Sequence, residues 1–444
     1  MQPLQTAPDP DTPVPGVTGS LPDGSVVDIH VSTDPVGVRR VSSISPADDR
    51  SLRRPGWLDL RGHVLLPPAA EPHAHLDKAL SWNELSPPIG DLADAIATWR
   101  AGSVRLTAES FRTRALQATS AMLRNGITAV RTHADILTHD DPLRAVRTLV
   151  DVRDSLQGLM DMQVTVLASP LTPTDHIEAA LDTGADLLGG APHIADDPRA
   201  ELTRLLDLAD ARGLGVDLHV DEFLDGDHLT IDAFAERVTD WPSDRIRTAG
   251  HCCRLDTLPG PDLQRVAAAL ARAGVSVIAL PVTNLYLQGR QGQSAGRRGI
   301  APIDVLRDHG VRVAGGADNI RDPFNPVGRA DPLETAALLV TAAHQQPATA
   351  LSLVTDEARA VLGLEPAGPV VGARADLLAV RGTDPVDVIA TAPADRVVIV
   401  NGCPVARTQT TTWTAFPEIT LPGVTESEAP SPASPFPSLV GMER

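Results

Sequence analysis

The chain has 444 residues, a formal net charge of -19, 42% apolar and 21% charged residues, which is enough to bury a large core and long for one compact domain. The acidic balance argues against nucleic acid and anionic membranes as partners. No run of about 18 apolar residues predicts a membrane span, and the first residues lack the basic-then-apolar order of a signal peptide. Three cysteines, two of them adjacent, offer no disulfide framework and fit a reducing cytoplasm. Lys78 is the only lysine.

Residues 1–18 are rich in Pro, Thr and Asp and are expected to be disordered. Residues 19–63 hold short β-prone pieces at 25–31, 37–44 and 57–60, one part of a small sheet. From Val64 a strand–helix rhythm begins. The first strand is the apolar run Val64-Leu65-Leu66, and further strands are predicted at 127–135, 163–170, 185–193, 215–222, 248–253, 275–284 and 311–319. Amphipathic helical patterns fill gaps between them at 109–124, 141–156, 198–212, 261–273 and 332–344, several closing on Gly. Strand–helix alternation implies a parallel sheet with outer helices, and eight strands favour a closed (β/α)8 TIM barrel over residues 64–364. Residues 365–415 return to strand patterns with an Asn401-Gly402 turn and are expected to pair with the N-terminal strands in a small β-sandwich. Residues 416–444 read as a disordered Pro/Ser-rich tail.

The chain is organised around Glu71-Pro72-His73-Ala74-His75-Leu76-Asp77-Lys78. Residues two apart on a strand share a face, so His73 and His75 can aim at one metal ion. Further polar residues recur where other strands end: His133, His193, His219 with Glu222 three residues on, His251, and Asp318-Asn319. In a parallel barrel those ends share one face, where active sites are built, and buried polar groups there are costly unless they bind something.

His73, His75, His219 and Asp318 are the expected ligands of one divalent ion, Zn2+ or Fe2+, with a position left for water. The ion would lower the pKa of that water towards 7. Glu222 is the expected proton shuttle, and His251 the partner of the hydroxide. No lysine follows Lys78, so a carboxylated lysine bridging two metals is unavailable and the site is expected to be mononuclear. His193 and Lys78 are candidate substrate contacts. A Schiff base on Lys78 is a rival enzymatic reading, and a non-catalytic barrel serving binding or oligomerisation is another.

Several motifs together resemble the amidohydrolase superfamily, cytosine deaminase-like branch: Glu71 to Asp77, Val130 to Asp135, Asp217 to Glu222, Thr248 to His251, Asn284 to Arg290 with Arg297 to Ile300, Ala317-Asp318 with Asp322-Pro323, and Gly372 to Leu377. The resemblance implies a barrel with a small β-sandwich and the same ligands, shuttle and hydroxide partner. It implies hydrolysis of a C–N bond of a small N-heterocycle, a cytosine-like pyrimidine or an amino-triazine, or of another cyclic amide or amidine. Gln288 is expected to face the substrate. Leu171 stands where that branch carries a substrate-reading glutamine, Asn319 where it has a second aspartate, and Lys78 where it has threonine, so a changed substrate is expected. The outer helices are candidate interfaces for a homo-oligomer.

Overall fold

The computed structural model describes residues 12–51, 54–139, 141–226, 228–290 and 296–413. Among the described residues fifteen strands form two sheets. Seven belong to the small sheet: β1 (Gly16–Ser20), β2 (Val26–Thr33), β3 (Arg39–Pro46), β4 (Leu58–Leu66), β13 (Leu377–Arg381), β14 (Arg396–Val400) and β15 (Cys403–Thr408), in the order β15-β14-β13-β4-β1-β2-β3. Both chain ends therefore build one sheet. Its apolar face packs through Val17, Ile29, Val41, Leu65, Leu377 and Ile399.

The other eight strands are all parallel and follow chain order: β5 (Ala69–Ala74), β6 (Ile127–Asp135), β7 (Asp161–Ala168), β8 (Leu187–Gly190), β9 (Gly215–Val220), β10 (Arg247–His251), β11 (Ser276–Ala279) and β12 (Val313–Gly315). A parallel bridge between Ala74 and Asp318 brings the first strand back to the last. Glu71 strengthens that seam, since its carboxylate accepts from the backbone N–H of Ala317 (2.9 Å) and of His73 (3.2 Å). This is the TIM-barrel architecture the alternation predicts.

The barrel starts later than the apolar run suggests. Val64 to Leu66 end β4 of the small sheet, pairing with β13, and the first barrel strand is Ala69–Ala74. Pro67-Pro68 separates the two, as expected of residues that cannot donate to a ladder. Gly16–Ser20 is a strand, which corrects the expected disorder to residue 18; residues 1–11 and the tail from 414 lie outside the described residues. The predicted seventh strand is also too long. Pro281 opens helix Pro281–Leu287 in place of its second half, so Asn284 and Leu287 are helical. No described helix is long and apolar enough to cross a membrane.

Inside the barrel the side chains are layered. A floor of small and aliphatic residues (Ala70, Ala129, Ile278, Ala314) packs against Val361 and Leu362. Above it, buried Arg131 on β6 donates to Asp217 of β9 (2.9 Å), Thr248 of β10 (3.2 Å), Gln163 (3.0 Å) and the Val361 carbonyl (3.1 Å). With its donors so directed, the guanidinium holds three strands and the helical floor together. Two residues further along β6 and β9 stand His133 and His219.

Candidate metal centre and cavity

The strand ends bring most of the predicted residues to one point. His219 Nε2 lies 3.2 Å from His73 Nε2 and 3.1 Å from His75 Nε2. Asp318 Oδ1 is 3.2 Å from His75 Nε2 and 3.9 Å from His73 Nε2. A neutral imidazole carries one N–H, and one lone pair on His219 cannot accept from both neighbours at once. A cation satisfies the histidine nitrogens together, and His73, His251 and Asp318 form a second, overlapping convergent group. The separations also suit two ligands of one tetrahedral ion, about 3.3 Å apart for metal–nitrogen bonds of about 2.0 Å. Asp318 Oδ1 and His251 Nε2 are buried without a hydrogen-bond partner, as open ligand positions should be. The donor set therefore fits a divalent metal.

Electrostatics agree with that fit. Burial first, then neighbouring cationic or histidine side chains, holds His75, His133 and His219 well below the ordinary value, so their lone pairs are free for a metal. Asp318 is pushed well above the carboxylate range by burial and then by Glu222, Asp322 and Glu71. A cation beside it would offset both effects. Asp318 (φ 69) and His251 (φ 67) take left-handed backbone, a conformation uncommon for non-glycine residues but less so for Asp and His.

His251 has its tautomer set by a neighbour. The Asn284 amide nitrogen donates to the Gly299 carbonyl (2.9 Å), which turns the amide oxygen towards His251 Nδ1 at 3.0 Å. Nδ1 thus carries the proton, and the Nε2 lone pair faces Asp318 Oδ2 at 3.9 Å. Glu222 Oε1 stands 3.5 Å from that same Nδ1. Burial alone pushes the Glu222 carboxyl up to about 8, so near neutrality it can both hold and release a proton.

The cluster opens into a cavity that His75, Lys78, His193, Glu222, His251 and Asn319 help to line. His193 bonds the His219 carbonyl through Nδ1 (3.1 Å), and burial depresses it to about 4. Asn319 donates to Asp322 (2.8 Å) and reaches Thr283. Lys78 is tied on all sides: to Asp135 at 2.9 Å, Asp77 at 3.1 Å and His75 Nδ1 at 3.4 Å. Burial works against its charge, but Asp135 and Asp77 outweigh it and hold the ammonium well above its usual value. Two carboxylates against a buried ammonium favour its protonated form, which is no nucleophile and weighs against a Schiff base there.

Two predicted contacts fall elsewhere. Leu171 is 72% exposed and lines a separate surface pocket. Strand β7 ends at Ala168 and turns at once, so Ser169 lines the main cavity in its place. Gln288 lines a neighbouring cleft and donates to the Glu222 carbonyl at 3.2 Å, because helix Pro281–Leu287 carries it away from the cluster.

The sequence marks His133 only as a polar residue at a strand end. In the structure its ring centroid is 4.1 Å from that of His73, within a group of histidines able to share a metal. It also gave no role to Asp217, whose Oδ1 lies 3.8 Å from both His73 Nδ1 and His133 Nε2. Its position two residues before His219, hence on the same strand face, was the available signal.

The chain is similar to known proteins. The amidohydrolase family model covers residues 91–406. A pterin deaminase of Rhizobium rhizogenes is 33% identical over 365 residues, 78% of this chain and 81% of its own length. The N-isopropylammelide isopropyl amidohydrolase of a Pseudomonas species is 22% identical over 354 residues, 74% of this chain and 82% of its own. Among solved structures, 5-methylcytosine deaminase from Klebsiella pneumoniae superposes with a TM-score of 0.79 at 24% identity, covering 90% of this chain and 99% of that one. N-isopropylammelide isopropylaminohydrolase from Burkholderia multivorans does so with a TM-score of 0.73 at 26% identity, covering 88% and 98%. The chain belongs to the amidohydrolase family.

Proposed function

We propose that the protein hydrolyses an exocyclic C–N bond of a small amino-substituted N-heterocycle, releasing ammonia or an amine and leaving a ring carbonyl. The observation that carries this reading is one cavity holding both a convergent His/Asp donor set and a buried Glu222 carboxyl pushed up to about 8. The pterin deaminase and N-isopropylammelide isopropyl amidohydrolase relatives, with the cytosine deaminase-like motifs of the sequence, make amino-pteridines, N-alkylamino-triazines and cytosine-like pyrimidines the substrates to try first.

His73, His75, His219 and Asp318 would hold one Zn2+ or Fe2+. That ion supplies Lewis-acid activation of water, lowering its pKa towards 7. Glu222 holds a proton near neutrality and passes it to the leaving nitrogen. His251, with its Nδ1 proton fixed by Asn284, presents an unprotonated Nε2 towards the reacting oxygen. Asp217 supports the His73 and His133 rings from below, and His193 and Asn319 border the ring.

Protein reconstituted with either ion is expected to release ammonia or amine from at least one of 2-amino-4-oxopteridine, cytosine and an N-alkylamino-triazine, as read by a coupled ammonia assay or chromatography. A protein that takes up metal and releases nothing from any of the three would refute the substrate class. Gly250 gives an independent check on the ligand set. A Cβ there would stand 2.8 Å from His73 Cε1 and 2.9 Å from His73 Nδ1, so Gly250→Ala must displace that ring. The expected result is a fold left intact and metal affinity lowered about 10- to 100-fold, the usual effect of disturbing a ligand's support, measured by chelator competition.

A further inference from the structure

Helix Leu92–Gly102 is inserted between β5 and the first long outer helix, Ala108–Arg124. It is well formed: the Asp91 side chain accepts from the Ala93 and Asp94 N–H groups and Asp94 reaches back, a complete capping box. Leu92, Ile96 and Trp99, at i, i+4 and i+7, all line the cavity. Trp99 is the anchor. It is buried among Leu85, Leu106, Phe111 and Leu137, and its indole N–H donates to Asp135 at 2.6 Å. Leu92 and Ile96 belong to no such cluster and remain half-exposed, apolar surface turned into a ligand cavity and still open to water.

Other apolar residues line the same cavity: Ile136, Leu137, Ile194 and Phe324. The buried ion pair beside this stretch, Lys78 with Asp135, is already engaged. Asp135 accepts from Lys78 with one oxygen and from Trp99 with the other, and the Lys78 ammonium reaches Asp135, Asp77 and His75. The side chain of Arg100 is exposed at the cavity mouth. A polar extension of a substrate would find no free buried partner among these groups, whereas an apolar one would cover surface that is otherwise wetted.

Resting on the proposed hydrolysis at the histidine cluster, we infer that the substrate ring carries an apolar substituent, alkyl or aryl, seated against Leu92 and Ile96. The helix is then a specificity wall and takes no part in bond breaking. Each methylene the wall covers is worth about fourfold in affinity, so a phenyl or butyl group on the ring is worth at least about tenfold.

The test compares two ligands, 2-amino-4-oxopteridine and its 6-phenyl derivative, by calorimetric dissociation constants on metal-loaded protein in the Glu222→Gln background, where turnover is blocked. The phenyl compound is expected to bind at least about tenfold more tightly than the parent. Ile96→Ser and Leu92→Ser should each cut that ratio severalfold while leaving the parent ring within about twofold, and Ile96→Val should restore it. The two serine variants sit on half-exposed positions, so at least one is expected to fold normally by circular dichroism. Equal binding of the two ligands, a ratio that neither serine variant lowers, or no binding of either ring would each overturn the subsite. Ammonia release from the parent ring by the wild-type enzyme is scored separately. Its absence with the affinity ratio intact would reject the pteridine as the hydrolysed ring and leave the subsite standing.

Discussion

Glu222→Gln is expected to lower kcat by about 10²- to 10⁴-fold, the range for a lost general acid/base, with metal content unchanged. The same substitution has a second, opposite signature in protein stripped of metal. Burial raises the Glu222 carboxyl from 4.5 to about 8. A raised folded-state pKa means that the group's contribution to stability is fully present below the unfolded value and is lost as pH rises through about 8. Glutamine cannot ionise, so the stripped variant should keep stability between pH 6 and pH 9 that the stripped wild type loses. With about 1.4 kcal/mol per pKa unit, the difference at pH 9 is on the order of a few kcal/mol. Glu71, also raised to about 8 by burial, contributes the same slope to both proteins and cancels in the comparison. Chelated samples unfolded in urea at the two pH values measure it. Identical pH slopes would place the proton on another group.

Lys78→Met is expected to cost 3–5 kcal/mol of stability, roughly the price of leaving one partner of a buried ion pair uncompensated. Asp77 is fully buried, and Asp135 would keep only its bond to Trp99. Combining Lys78→Met with Asp135→Asn should recover part of the loss, because one of the two stranded charges is gone. Thermal unfolding of the two variants decides the point. A single variant within about 0.5 kcal/mol of wild type, the range of an ordinary surface change, would show that the ammonium holds nothing together.

How far the sequence reaches is clearest at particular residues. His73 and His75 at the end of one strand, and His219, His251 and Asp318 at the ends of three others, were legible because parallel strands bring their C-terminal ends to one face. The strand–helix rhythm carried the barrel in the same way. The first strand was misplaced because Val64 to Leu66 and Ala69 to Ala74 are both buried and nearly contiguous. Only pairing tells which sheet each joins, and pairing is not a local property. Leu171 was misassigned for a related reason: the end of β7 was read two residues late, and beyond a strand end two residues move a side chain from the cavity to the surface.

Helix Leu92–Gly102 went unread because only part of one face is apolar. Its amphipathic pattern is short, and its partner is a cavity in place of a barrel strand. The structural work of Glu71 and Asn284 was equally hidden. Each acts through a contact distant in sequence, Glu71 on Ala317 and Asn284 on His251, and nothing in their neighbourhoods marks those partners. Lys78 could be singled out by its scarcity, but its pairing with Asp135 needed the fold.

In the proposed function one divalent ion, held by His73, His75, His219 and Asp318, is required for hydrolysis. Metal content per chain by mass spectrometry tests this directly, on wild type and on His219→Ala reconstituted side by side with Zn2+ or Fe2+. About one ion per wild-type chain is expected, the stoichiometry of one closed donor set, with little or none in the folded variant and loss of hydrolysis in step. Equal metal in both proteins, or hydrolysis that survives complete removal of metal, would contradict it.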